Sequence, residues 1–275
     1  PETKRMVDTI KKSLLNQELV STSFLHDNLK NLDTTNISIL DVTSKGKAVI
    51  IRLSDGNSII THNQLYGRWT SNRLNTKIRH NRSLRIEFCT NSKAVRLWSA
   101  TDIIALPTAE ESTHPYLKRI GPDVLDKTTT YKLIYDRLVS KRFRNRGFSG
   151  LLLNQHFISG LGNYLRSEIL FFAKLMYHQK ASELDQDQNT KLSQCIKDVS
   201  LRSYKQKGKT IFYDDLMLKQ LDKSAKKRRF MVFARAGQNC YVCKTKIVKD
   251  MDKKKRALDI EIAEAVLRVE VGSSV

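Results

Sequence analysis

The sequence predicts an α+β chain of two domains: a β-rich N-terminal half forming a two-layer sandwich with a flanking helix, then a helical C-terminal half. Three observations carry this. From about residue 17 to 106, short apolar or alternating runs are separated by turn signals. Three of the four prolines then fall in "LPTAEESTHPYLKRIGPDVLD", a break in composition. Beyond it, four stretches repeat apolar residues at helical spacing. A chain of 275 residues is long enough for two separate cores.

Taken in order, residues 3–15 place Met6, Val7, Ile10, Leu14 and Leu15 on one face, which predicts a first helix. "AVIIRLSDGNSIITHN" puts apolar runs on both sides of Asp-Gly, a strong hairpin signal because that pair accepts the positive φ of a tight turn. "SLRIEFCTNSKAVRLWSATDI" repeats the form with "TNSK" as its turn. Past the proline-rich connection, "TYKLIYDRLVSK", "SGLLLNQHFIS", "NYLRSEILFFAKLM" and "LDQDQNTKLSQCIKDVSLRSYKQ" read as helices. The tail holds "LDIEI" and "LRVEV", two period-two segments expected to pair with each other as a hairpin without metal. A divergent end that forms no finger fits the same residues equally well.

Forty-nine Lys and Arg against 28 Asp and Glu give a formal charge of +21. Such an excess suits a polyanion, because neutralising phosphates releases their counterions. The basic residues are spread over several elements rather than lining one amphipathic helix, which argues for nucleic acid over a membrane surface. Residues 202–256 hold 18 basic and 5 acidic residues, and "RLVSKRFRNRGF" is a second dense patch. No run of 18 apolar residues occurs and "PETKRMVDTI" is too charged for a secretory signal, so a soluble, cytoplasmic protein is expected, associated with the nucleoid when bound to DNA. Of four cysteines, Cys89 and Cys195 sit in packing positions, whereas Cys240 and Cys243 form the only CxxC, the spacing of half a zinc site.

The stretch "ISGLGNYLRSEIL" interrupts a helical pattern with Gly160 and Gly162. Gly160 is expected to end one helix, Gly162 to admit close backbone approach, and Asn163 to cap the helix that follows. Main-chain N–H groups exposed at such a helix start suit a phosphate.

"GLGNYLRSEIL" resembles the helix-two-turn-helix signature of the formamidopyrimidine-DNA glycosylase and endonuclease VIII family. "KGKA", "THNQLYGRW", "THPYLKRIGPDVL", "FRNRGFSGLLLNQHFISGLGNYLRSEIL" and "VFARAGQNCYVCKTKI" follow in family order, and "HNQLYG" looks like the endonuclease VIII branch. The resemblance implies a catalytic sandwich over residues 1–112, a linker over 113–126, a helix-two-turn-helix domain over 127–229 and a degenerate finger over 230–275. It implies a monomer that acts on damaged double-stranded DNA, removing oxidised pyrimidines and cutting abasic sites. Pro1, Glu2 and Lys47 match its catalytic residues; Gln64, Leu65 and Tyr66 match those that enter the duplex; Arg119 and Asn163 match those that grip phosphates. His62 and His114 are given structural roles. The same motifs also fit a relative that binds damaged DNA without cutting it, or an oxidised-purine glycosylase.

The chain departs from the family at both ends. The family begins PEGPE and this chain begins PETKRM. Either Pro1 and Glu2 are the first pair with three residues deleted after them, or they are the second pair and the motif's first three residues, with its catalytic pair, are lost; the phase of the first helix favours the second register. The family's finger uses two CxxC pairs around zinc. Cys240 and Cys243 supply one, no Cys or His follows, and bound zinc is therefore doubtful.

Overall fold

The structure, a computed structural model, describes residues 1–211, 229–251 and 259–263. It divides into two compact units, Glu2–Ile120 and Gly121–Val275, the second grouped with Pro1.

In the first unit, helix α1 (Glu2–Leu14) is followed by eight strands: β1 (Ser21–Phe24), β2 (Ile39–Lys45), β3 (Ala48–Leu53), β4 (Asn57–His62), β5 (Arg68–Arg73), β6 (Leu84–Cys89), β7 (Lys93–Trp98) and β8 (Asp102–Pro107). They form two four-stranded antiparallel sheets, ordered β1-β6-β7-β5 and β2-β3-β4-β8. The Asp-Gly hairpin forms as expected, with Arg52 opposite Ser58 and Gly56 at φ +84°. Val7, Ile10 and Leu14 of α1, spaced at three and four residues, join Val49, Ile51, Ile59, Phe88, Val95 and Leu97 in one buried cluster. One forked ion pair fastens this unit, Arg52 donating to both carboxylate oxygens of Glu111 at 2.7 Å and to Asp41 at 2.9 Å.

The second unit contains α3 (Tyr131–Leu138), α4 (Phe148–Leu151), α5 (Asn163–Ala173) and α6 (Gln186–Lys205); the short α2 (Pro115–Arg119) precedes it in the first unit. α6 starts on a capping box, in which the Asp185 carboxylate accepts from the Gln188 N–H at 2.7 Å and the Gln188 side chain accepts from the Asp185 N–H at 3.1 Å. Ile134, Leu138, Leu151, Leu165, Ile169, Leu192 and Ile196 make its core.

One expectation fails here, and a second is met by a partner the sequence did not name. "SGLLLNQHFIS" is helical only over its first three residues, the end of Phe148–Leu151, and the chain then runs through successive turns to Gly162. Leu152, Phe157, Ile158 and Leu161 are nevertheless buried, so the apolar pattern reported burial rather than helix. In the tail, the expected pairing of "LDIEI" with "LRVEV" reaches residues outside those described. Strand β10 (Asp259–Ala263) pairs antiparallel with β9 (Ile247–Met251), and residues 267–271 lie outside the described residues. Alternation marks a strand but does not name its partner.

Candidate active site

Lys45 pairs with Ala48, which leaves Gly46 and Lys47 as a two-residue hairpin turn. Gly46 has φ +62° while Lys47 stays at negative φ, a pattern that calls for glycine at the first central position. The turn is held from outside, because the Lys47 N–H donates to the Tyr116 hydroxyl at 3.0 Å. The Lys47 side chain is half-buried, and burial pushes its amine below the ordinary lysine range, against the pull of the Glu2 carboxylate. Glu2 occupies the first turn of α1, and the buried Pro1 immediately precedes that helix.

His62, at the end of β4, packs its ring on Tyr116 with centroids 5.2 Å apart. Burial lowers the pKa of His62, Asp102 opposes the shift, and Lys47 adds to it. Its Nδ1 accepts from the Gln64 N–H at 3.3 Å, so the neutral ring starts the turn that follows. His114 does the same at α2, accepting from the Tyr116 N–H at 3.3 Å, and its pKa is likewise lowered by burial.

The turn after His62 is tightly built and presents apolar side chains to solvent. Gln64 takes φ +46°, and the Gly67 N–H closes the loop on the Asn63 carbonyl at 2.7 Å. A Cβ at Gly67 would lie 2.7 Å from both the Cα and the carbonyl oxygen of Asn63, so only glycine fits. At the apex Leu65 is 88% exposed and Tyr66 71%. A large apolar residue held almost fully in water at the tip of a constrained loop is suited to insertion into something else.

Arg119 is the exposed last residue of α2, in the same unit as Glu2, Lys47 and the Gln64–Tyr66 loop. Asn163 belongs to the other unit and is exposed at the start of α5. The cap of α5 is Gly162, not Asn163: Gly162 is extended, its carbonyl accepts the first helical bond from the Arg166 N–H at 2.9 Å, and Asn163 is already the first helical residue. Gly160 has the positive φ expected, +87°, but it follows a bridge between Ser159 and Asp123 rather than a helix end. The turn is knitted by Gln155, whose amide donates to the carbonyls of Leu153 and Leu161 at 3.0 Å and whose oxygen accepts from the Gly160 N–H at 3.0 Å. Neither Gln155 nor Tyr116 is marked by spacing alone; each lies inside a motif but acts only through a partner remote in sequence or across a turn.

Cys240 and Cys243 do come together, in one turn. The Val242 N–H points at the Cys240 sulfur at 3.4 Å, and the Cys243 sulfur lies 2.8 Å from the Thr245 hydroxyl. Cys240 is buried among Phe171, Ile211, Met231 and Ile247, and that burial raises its thiol pKa. Two thiols are half the donors of a closed tetrahedral zinc site, and among the described residues no three His, Cys, Asp or Glu gather as a metal-binding group. These residues do not by themselves fit the family's zinc. The segment is instead anchored by protein groups. The buried Glu168 carboxylate accepts from the N–H groups of Met231, Val232 and Phe233 at 2.8–3.0 Å, and the Arg235 guanidinium lies 3.4 Å from the Tyr241 ring centroid.

A sandwich bearing a half-buried amine beside a carboxylate and an exposed apolar loop, and a second unit with a glycine-turned helix start, fit the helix-two-turn-helix class of DNA-processing enzymes. Residues 120–214 match the formamidopyrimidine-DNA glycosylase H2TH domain. Over 245 residues the chain is 37% identical to endonuclease 8 of Klebsiella pneumoniae, covering 88% of this chain and 90% of that protein. It is 36% identical over 254 residues to endonuclease 8 of Escherichia coli, covering 90% and 92%. The chain therefore belongs to the formamidopyrimidine-DNA glycosylase and endonuclease VIII family, on the endonuclease VIII side. Its fold is shared by the Lactococcus lactis formamidopyrimidine-DNA glycosylase crystallised on DNA containing an abasic site, with 17% identity, a TM-score of 0.76 and coverage of 97% of this chain and 98% of that one. The same enzyme bound to DNA carrying an N7-benzyl formamidopyrimidine matches with a TM-score of 0.77 at 18% identity. Among the described residues no helix is long and apolar enough to cross a membrane.

Proposed function

We propose that this protein is a base-excision repair enzyme that removes oxidised pyrimidines from duplex DNA and then cuts the abasic site by β-elimination. The observation that carries the reading is the Lys47 amine, held below its usual pKa by burial and set beside the Glu2 carboxylate on a turn that glycine makes. An amine attacks C1′ of the extruded nucleotide, the C1′–N bond breaks and the base leaves with a proton; the C1′–O4′ bond then opens, O4′ taking a proton, which leaves C1′ doubly bonded to the amine nitrogen. The resulting iminium acidifies the C2′ hydrogens, so a base removes one and the C3′–O bond breaks, releasing the 3′ strand. Hydrolysis then frees the amine. In the first of the two registers Pro1 supplies the attacking secondary amine; α-amino groups titrate near 8, which leaves a useful neutral fraction at physiological pH. Glu2 and Lys47 are the adjacent acid and base.

Leu65, with Gln64 and Tyr66, enters the stack and fills the space left by the extruded nucleotide, which the chemistry requires to leave the helix. Arg119 and the α5 start at Asn163 take backbone phosphates. In the family an arginine of the finger is associated with the second elimination; no residue here is matched to it, and β-elimination is expected to dominate over δ-elimination. Borohydride reduction on an abasic duplex, followed by peptide mapping of the adduct, tests the reading. A covalent adduct on the Pro1 or Lys47 peptide is expected, with Lys47→Ala lowering the rate by about 10²–10⁴-fold. No adduct from the folded protein would leave a binder rather than an enzyme. Comparison of thymine glycol with 8-oxoguanine duplexes tests the choice of pyrimidines.

A further inference from the structure

The second basic patch of the sequence, "RLVSKRFRNRGF", has an arrangement that the proposed lesion site does not use. Phe143 is 2% exposed, and three guanidinium carbons surround its ring, those of Arg137, Arg142 and Arg146 at 5.3, 5.2 and 6.0 Å from the centroid. Three positive groups packed around one ring concentrate charge at one place on the surface. Among the described residues neither Arg142 nor Arg146 has an ion pair, and both are exposed with Lys141 and Arg144 beside them. The adjoining surface hollow, about 440 Å³, is lined by Thr130, Lys132, Asp136, Arg137, Ser140 and Arg142 among others. Its one lining carboxylate, Asp136, is taken by Lys132 at 2.7 Å.

Arg137 shows how the cluster is held. Its Nε donates to the Phe157 carbonyl at 2.8 Å and its Nη2 to the His156 carbonyl at 2.6 Å, fixing it to the turn that leads to Asn163. The proximity of Arg142 also helps to depress the Arg137 pKa, after desolvation. A guanidinium packed on an aromatic face keeps its edge N–H groups free for a phosphate, which it can take with two hydrogen bonds.

We propose that Arg142 and Arg146, backed by Arg137 on the Phe143 ring, form a second phosphate-binding site that takes the backbone of duplex DNA outside the lesion and is continuous with the Asn163 turn. This rests on the reading that the protein binds DNA, but not on its chemistry. The shallow, exposed site favours a polymer backbone over a free nucleotide, and continuity with the helix-two-turn-helix turn favours duplex.

The test is the salt dependence of binding to an undamaged 20-bp duplex, followed by fluorescence anisotropy over a KCl series. Each lost phosphate contact lowers the log–log slope by about 0.9. R142Q/R146Q should therefore lower it by about 1.8 and weaken binding on the order of ten- to a hundredfold at low salt. R142K/R146K keeps the charge and should keep the slope. If the Gln pair does not fold, Arg146→Gln alone should lower the slope by about 0.9. An unchanged slope overturns the proposal, as does a change seen with a 20-nucleotide single strand but not with the duplex. Borohydride trapping by R142Q/R146Q at saturating abasic duplex should match the unsubstituted protein. Loss of trapping in the unsubstituted protein would sink the enzymatic reading while leaving the slope result to stand or fall separately.

Discussion

Glu168 offers the sharpest test of how the segment carrying Cys240 and Cys243 stays in place. Its carboxylate is fully buried, and it accepts four hydrogen bonds: from Val232 N–H at 2.8 Å and Phe233 N–H at 3.0 Å on one oxygen, from Met231 N–H at 2.8 Å and the Thr210 hydroxyl at 2.5 Å on the other. Burial pushes its pKa up while these donors oppose the shift. In Glu168→Gln the amide nitrogen cannot accept. Placed opposite Met231 and Thr210 it strands one main-chain N–H, since the hydroxyl can turn and accept; placed opposite Val232 and Phe233 it strands two. One buried, unsatisfied N–H costs about 1–3 kcal/mol, so the first arrangement and that loss are expected. Glu168→Ala strands all three N–H groups. It should cost about 3–6 kcal/mol, below the simple multiple because water and backbone relaxation recover part of each bond. Urea unfolding measures the loss, and amide exchange at residues 231–233 reports whether it arises there. A Glu168→Gln protein within about 0.5 kcal/mol of the parent, with those three amides still protected, would refute the idea that this carboxylate organises the segment.

Gly67→Ala forces a Cβ against the Asn63 backbone, so a loss of about 1–3 kcal/mol is expected in thermal or urea unfolding, together with slower base excision. Leu65→Ala should leave stability within about 0.5 kcal/mol, because the side chain is already in water. It should nevertheless slow excision from base-containing duplexes on the order of ten- to a hundredfold, with less effect on a preformed abasic site. The folded-state pKa of His62 lies below its unfolded value, so the unfolded chain binds the proton first and stability falls as pH drops through about 6.5 toward the folded pKa. Protonation also removes the Nδ1 acceptor that holds the Gln64 N–H; pH-dependent unfolding of His62→Asn should show a flatter acid limb, and an unchanged limb would count against the argument.

Much was legible before the coordinates. Apolar spacing located α1 to within a residue at each end, Asp-Gly located the β3–β4 hairpin, and the charge excess pointed to nucleic acid, because all three depend on local periodicity, local φ or composition. The candidate residues could be named only through the ordered motifs that contain them, and their roles rest on that resemblance. Less legible were the ends of elements that tertiary contacts decide. Leu152 to Leu161 reads as helix because its apolar residues are buried, yet Gln155 bonds and pairing with residues 121–124 hold it in turns. The tail's alternation marked a strand at "LDIEI" but not its pairing with Ile247–Met251.

By itself, then, the sequence determined the α+β class, the polyanion partner and the residue types available for amine chemistry, since these follow from pattern and charge summed along the chain. Tertiary structure alone decided that Tyr116 holds the Lys47 turn across 69 positions, that Glu168 gathers three amides more than 60 residues away, and that three arginines converge on Phe143. Hydrogen bonds and ring contacts act over a few ångströms whatever the separation along the chain, and only the folded backbone sets which groups come that close.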